Sequence, residues 1–131
     1  MTPAGQSITG CRILIIEDEY LIASALALAL RAKGAEVIGP VGRFEQAEAK
    51  VREGGFDVAA LDINLQDKQA FSIADELRRQ CIPFVFVTGY SAEVIPAAYA
   101  DVPYFDKPCN MSQLLRHFEV VCPVLSAGHL S

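Results

Sequence analysis

Four short stretches of this chain each run an apolar segment into side chains that can do phosphate and metal chemistry. "RILIIEDE" ends in Glu17, Asp18 and Glu19, "VAALDIN" in Asp62 and Asn64, "FVFVTGY" in Thr88 and Gly89, and "VPYFDKP" in Lys107 and Pro108. If these endings meet on one rim, the carboxylates repel one another unless something cationic stands among them. Magnesium suits such a set, because it takes oxygen ligands, keeps several waters and commonly shares its shell with phosphate. Asp62 is then placed to act as a nucleophile whose carboxylate oxygen receives a phosphoryl group. Glu17 and Asp18 would hold Mg2+ directly or through water, together with the acceptor Asp62 and the backbone carbonyl of Asn64. Lys107 would balance charge on the phosphoryl oxygens, the Thr88 hydroxyl would donate to one of them, and Gly89 leaves an open approach with a backbone N–H.

The elements that must position these residues follow from hydrophobic pattern. "CRILIIE" (11–17), "AEVIGPV" (35–41), "FDVAALDI" (56–63), "IPFVFVTG" (82–89) and "VPYFDKP" (102–108) are short, β-rich strand candidates, the second expected to stop at Gly39-Pro40. Between them lie helical patterns. The first is capped by Asp18, runs to about Ala32 and is closed by Gly34; the second, "RFEQAEAKVREGG", is closed by Gly54-Gly55. A polar loop "NLQDKQ" precedes the third, "AFSIADELRRQ"; "SAEVIPAAYA" and "NMSQLLRHFEVVC" complete the set. Strands apolar on both faces and alternating with helices indicate an α/β fold: a doubly wound, five-stranded parallel sheet of flavodoxin-like order 2-1-3-4-5, with helices on both faces. In such sheets a ligand sits outside the carboxyl ends of the strands, where strand order reverses. That is where all four endings fall. Taken singly, each has an ordinary structural use: a helix start, a turn cap, a strand end, a solvated loop. Their joint placement on one rim favours a site.

Composition sets the limits. A chain of 131 residues is one domain's length, and 52% hydrophobic with 21% charged residues is globular. A net charge of −5, with no basic run, argues against direct nucleic-acid binding. "YLIASALALAL" is too short to cross a bilayer and "MTPAGQSITG" is no secretory signal, so neither membrane nor export is expected. Cys11, Cys81, Cys109 and Cys122 lack metal-ligand spacing, as do His117 and His129; the cysteines read as buried, reduced thiols in a cytoplasmic protein, with Cys109 the one to watch for reactivity. The expected organisation is a flexible stretch over 1–10, a domain over 11–122 and a loosely held tail over 123–131, with no output module following.

The set Glu17-Asp18, Asp62, Thr88 and Lys107-Pro108, in that order at those strand ends, resembles the receiver domain of bacterial two-component response regulators over about residues 11–122. The resemblance implies a signalling phosphoacceptor, not an enzyme acting on a separate substrate, that catalyses its own phosphotransfer and dephosphorylation. Asp62 would accept phosphate from a histidine kinase or histidine phosphotransfer protein with Mg2+ as cofactor, and Lys107-Pro108 would be linked in cis. It also implies a switch in which phosphorylation draws Thr88 inward and an aromatic follows, Tyr104 by position, with Tyr90 able to share the role. The output is then a contact with a downstream protein, or onward relay of the phosphate, with room for a phosphorylation-dependent dimer. "PFVFVTGYS" is similar to a subfamily whose fourth strand ends Phe-Ala-Thr-Gly-Tyr, mostly single-domain regulators of alphaproteobacteria, with Val87 here in place of Ala and Ser91 where Gly is common. The loop after Asp62 also lacks the glycine that many receivers carry.

Two other functions fit less well. An aspartate-nucleophile phosphohydrolase needs a second carboxylate two residues after the nucleophile, where this chain has Asn64, and length for a substrate cap. A flavodoxin-like nucleotide binder needs a glycine-rich phosphate loop after the first strand, where this chain has acids. A receiver-like module that signals by binding alone returns if Asp62 proves unreactive.

Overall fold

Apolar side chains alternate between two helix layers along each strand of the central sheet, which is why the strands read as unbroken hydrophobic runs. The structure is a computed structural model that describes residues 7–66, 68–89, 95–107 and 110–129, the side chains of 123–129 excepted. In chain order the elements are β1 (Arg12–Ile16), α1 (Tyr20–Ala32), β2 (Glu36–Val41), α2 (Phe44–Glu53), β3 (Val58–Asp62), β4 (Asn64–Leu65), β5 (Lys68–Gln69), α3 (Phe71–Arg79), β6 (Phe84–Thr88), a 3-10 turn (Ala97–Tyr99), β7 (Tyr104–Asp106) and α4 (Met111–His129). The main sheet is parallel, in the order β2-β1-β3-β6-β7. Counting only its own five strands, that is the expected 2-1-3-4-5.

Leu14, Ile16, Ala59, Leu61 and Phe86 pack with Ala47 and Val51 of α2 and Ile73, Ala74 and Leu77 of α3. Their neighbours Ile13, Ile15, Ala60, Val85 and Val87 pack on the other face with Leu26, Ala27 and Leu30 of α1 and Leu114 and Phe118 of α4. Each fully buried Leu, Ile or Phe contributes about 1.5–3 kcal/mol of transfer free energy. The sheet is therefore gripped from both sides, and its carboxyl ends are fixed relative to one another. At the opposite edge, Asp57 accepts from the Arg12 backbone N–H at 2.9 Å and from its guanidinium at 3.0 Å, which ties the starts of β1 and β3 together.

Several boundaries differ from the sequence reading for identifiable reasons. β2 does not stop at Gly39-Pro40 but passes through it with a register shift, Leu14 pairing with Ile38 and Ile16 with Val41. Gly39 makes this feasible: its φ is +91° and a Cβ there would lie 3.0 Å from the Ile15 carbonyl oxygen. The loop after Asp62 folds into the small β4–β5 hairpin, with Gln66 at φ 48° in its turn, a left-handed conformation that favours glycine. Of the helix expected around Pro96, the described part is only the 3-10 turn, with Pro96 preceding it; residues 90–94 lie outside the description. α4 continues past Cys122 to His129, where the sequence reading ended the helix before Pro123.

The cysteine expectation needs two corrections. Cys11 and Cys122 are buried as expected, but they are joined by a disulfide, with Cα atoms 5.9 Å apart. A separation of 111 residues hides this pairing in the sequence; it arises because α4 packs back across the start of β1. Cys81 is free and exposed, not buried, since it closes α3 in a left-handed turn at φ 59°. Cys109 lies outside the described residues. His117 is half-buried between Phe105 and Phe118, and burial lowers its pKa. No described helix is long and apolar enough to cross a membrane.

Candidate functional site

Parallel pairing brings the expected residues together by register. Asp62 ends β3 opposite Val87 of β6, and Thr88, the next residue, ends β6 opposite Asp106 of β7. The Lys107 backbone N–H then donates to the Thr88 carbonyl oxygen at 2.8 Å, which anchors the lysine beside the centre of the sheet. β1 delivers Glu17 from the other side, its N–H held by the Val41 carbonyl at 2.9 Å.

The resulting cluster is buried and strongly charged. Glu17 is 5% exposed and Asp62 3%, and Thr88 is fully buried. Carboxylate oxygens of Glu17, Asp18 and Asp62 all lie within 4.8 Å of one another, with Asp18 the most open to solvent. Lys107 Nζ donates to Glu17 Oε2 at 2.9 Å, to Asp62 Oδ2 at 3.2 Å and to Glu19 Oε1 at 3.2 Å. Backbone N–H groups orient the carboxylates further: Asn64 N–H donates to Asp62 Oδ1 at 3.2 Å, Gln66 N–H to Asp18 Oδ2 at 3.0 Å, and Glu19 N–H at 3.1 Å to Glu17 Oε2, the oxygen that also accepts from Lys107.

Electrostatics follow from this packing. Burial, then the neighbouring Glu17, push the Asp62 carboxyl from 3.8 up to about 8, against the pull of Lys107 and the Asn64 N–H. Burial alone would lower the Lys107 ammonium, but Glu17 and Asp62 outweigh it and raise its pKa. Such a site is poised for a second cation. Three close carboxylates with oxygen donors only fit a hard divalent ion such as Mg2+, and Glu17, Asp18 and Asp62 are the residues that would hold it.

Most of the sequence-derived set therefore converges, with qualifications. Asp18 is not the N-cap of α1; Glu19 occupies that position without a capping hydrogen bond, while the Asp18 carboxylate turns to the site and the Gln66 N–H. Gly89 follows directly and is open, since a Cβ there would meet nothing within 4 Å. Tyr104 stands at the start of β7, 43% exposed and paired with Phe86, so register puts it on the same sheet face as Thr88, two positions away. Tyr90 and Pro108 lie outside the described residues, as does the expected cis linkage. Sequence reasoning assigned no task to Glu19, although it closes the acidic run at the end of β1; its contact with Lys107 depends on a lysine 88 residues away.

Comparison with known proteins decides the family. The family model for the response regulator receiver domain matches residues 13–119.

The chain belongs to the response regulator receiver family.

The transcriptional regulatory protein TcrA of Mycobacterium tuberculosis (strain ATCC 25618 / H37Rv) is 30% identical to this receiver over 94% of the chain and 53% of TcrA. The chain spans about half the length of the curated relatives it matches. Among solved structures, SdrG from Sphingomonas melonis Fr1 is 34% identical at a TM-score of 0.75, covering 86% of this receiver and 96% of SdrG. The receiver domain of the sensor histidine kinase PA1611 from Pseudomonas aeruginosa PAO1, solved with a magnesium ion in its active-site cleft, shares the fold at a TM-score of 0.73 and 21% identity, covering 87% of this chain and 98% of that one.

Proposed function

We propose that this receiver of a two-component system is a phosphoacceptor that catalyses its own phosphorylation and dephosphorylation. Asp62 takes a phosphoryl group from the phosphohistidine of a histidine kinase or histidine phosphotransfer protein in a Mg2+-dependent reaction. The observation that carries this reading is the position of Asp62: a carboxylate at the carboxyl end of the central strand, 3.2 Å from an ammonium and among two further carboxylates.

An Asp62 oxygen forms the bond to phosphorus while the phosphorus–nitrogen bond of the phosphohistidine breaks, its electron pair staying on the imidazole. Asp62 enters this step as the carboxylate, a form that burial and Glu17 oppose and that Lys107 and a bound divalent cation would favour. A bound divalent ion supplies positive charge that offsets the carboxylates and the incoming phosphoryl oxygens. Lys107 Nζ, already within hydrogen-bond distance of Asp62, transfers its attraction to a phosphoryl oxygen as charge moves there. Glu17, Asp18 and the Asn64 backbone carbonyl orient the site, and the Gly89 N–H offers a further donor. Thr88 and Tyr104, on the same face of β6 and β7, carry the change to a protein-binding face that includes β7 and α4. The reading places the protein in the cytoplasm, with a downstream protein, a relay partner or a second phosphorylated copy as recipient of the signal.

The test is intact mass after incubation with Mg2+ and acetyl phosphate. Wild type should gain one phosphoryl group, and Asp62→Asn or added chelator should abolish the gain. Equal gain in wild type and Asp62→Asn would refute the assignment.

A further inference from the structure

Lys107 has three N–H donors and three acidic partners, but those partners are not equivalent. In the proposed function Asp62 receives the phosphoryl group and Glu17 belongs to the oxygen cluster that fits a cation. Glu19 does neither. Its carboxylate lies outside the group formed by Glu17, Asp18 and Asp62, its side chain is 57% exposed, and its described contact is the 3.2 Å bond to Lys107 Nζ. It stands at the mouth of the site, just before the exposed first turn of α1, where Tyr20 is 79% and Leu21 81% exposed.

The charges at the mouth give this position a consequence. Four carboxylates (Glu17, Asp18, Glu19 and Asp62) face one ammonium, and a divalent cation would leave a single net negative charge. A small phosphodonor such as acetyl phosphate arrives as a dianion. It meets that residual charge, and it needs a Lys107 N–H that Glu19 now holds.

We propose that Glu19 is a positioning residue for Lys107 that also guards the entrance: by holding one Lys107 N–H and keeping a negative charge there, it slows self-phosphorylation from small dianionic donors. The inference rests on Asp62 being the phosphoacceptor and adds to that reading a residue that restrains small donors.

Glu19→Gln removes the charge while keeping the side-chain length and an acceptor for Lys107. The rate of mass gain with acetyl phosphate and saturating Mg2+ should rise about 2–5-fold at low salt, the range expected for one partly exposed charge pair. Near 1 M salt, where the screening length falls to about 3 Å, the two rates should converge. Glu19→Asp retains the charge and should stay close to wild type, whereas Glu19→Lys should exceed Glu19→Gln. Urea midpoints of all variants should match wild type, which separates this role from a structural one. An unchanged or slower rate in Glu19→Gln at low salt, or a gain that persists undiminished in high salt, overturns the inference while leaving Asp62 as acceptor. Mass gain in Asp62→Asn equal to that of wild type overturns the phosphoacceptor reading, and this inference with it.

Discussion

Replacing Asp62 by asparagine should stabilise the metal-free protein, increasingly so as pH rises. The carboxyl titrates near 3.8 when unperturbed and near 8 in the folded site, raised by burial and by Glu17. Between those values the unfolded chain has lost the proton that the folded protein keeps, so unfolding releases a proton. Wild-type stability is then fullest below the lower value and is lost progressively as pH rises through the upper one, with a limiting slope of about 1.4 kcal/mol per pH unit. Across the whole interval that slope would amount to about 5–6 kcal/mol, and water entering at the open rim reduces the realised change to about 2–4 kcal/mol between pH 5 and 8. Asparagine keeps the shape and does not titrate; groups away from the site are common to both proteins and cancel, so the difference reports Asp62 together with Glu17 and Lys107, which interact with it. Urea unfolding followed by far-ultraviolet circular dichroism, in chelator at five pH values from 5 to 9, gives the two curves. Their separation should widen toward pH 8 and flatten above it, and saturating Mg2+ should reverse the order because the wild type binds the ion more tightly. Parallel curves across this range would refute the electrostatic account of the site.

Three further outcomes follow from the same structure. Cys11→Ser, or reduction of the Cys11–Cys122 bridge, should lower stability by about 3–5 kcal/mol because the link closes nearly the whole chain, and Cys122→Ser should add nothing further; urea midpoints with and without reductant check both. Asp18→Asn removes one of the three clustered carboxylates, so the rise in thermal midpoint that Mg2+ produces in the wild type should need about 10-fold or more metal in the variant, read by a thermal-shift titration. Phe86→Ala empties the centre of the sheet, where the ring is fully buried and packs edge-on against Phe71, Phe84 and Tyr99, and should cost about 3–5 kcal/mol in urea unfolding.

The sheet and the site were legible in the sequence because both depend on local pattern. Apolar runs such as Ile13–Ile16 and Phe84–Val87 mark strands buried on two faces, and chemistry-bearing residues stand directly after them. Once strand order is fixed, Glu17, Asp62 and Lys107 must meet. What the sequence withheld is contact over long separations and backbone geometry. The Cys11–Cys122 bridge and the Lys107–Glu19 contact are set by how α4 and β7 pack, which no local window contains. The passage of β2 through Gly39-Pro40 reads locally as a stop, and only pairing with β1 shows that the strand resumes. The Gln66 turn is a further case, since a non-glycine residue in left-handed backbone leaves no compositional trace.

The central claim is that Asp62 itself carries the phosphoryl group. An aspartyl phosphate is an acyl phosphate, which borohydride reduces to the alcohol, so a phosphorylated aspartate is recorded as homoserine in a peptide mass spectrum. After incubation with Mg2+ and phosphodonor, then borohydride, the peptide spanning β3 should contain homoserine at position 62 and no other acidic residue should be altered. Homoserine at position 18, or 2-amino-5-hydroxypentanoic acid at position 17 or 19, with Asp62 intact would contradict the account.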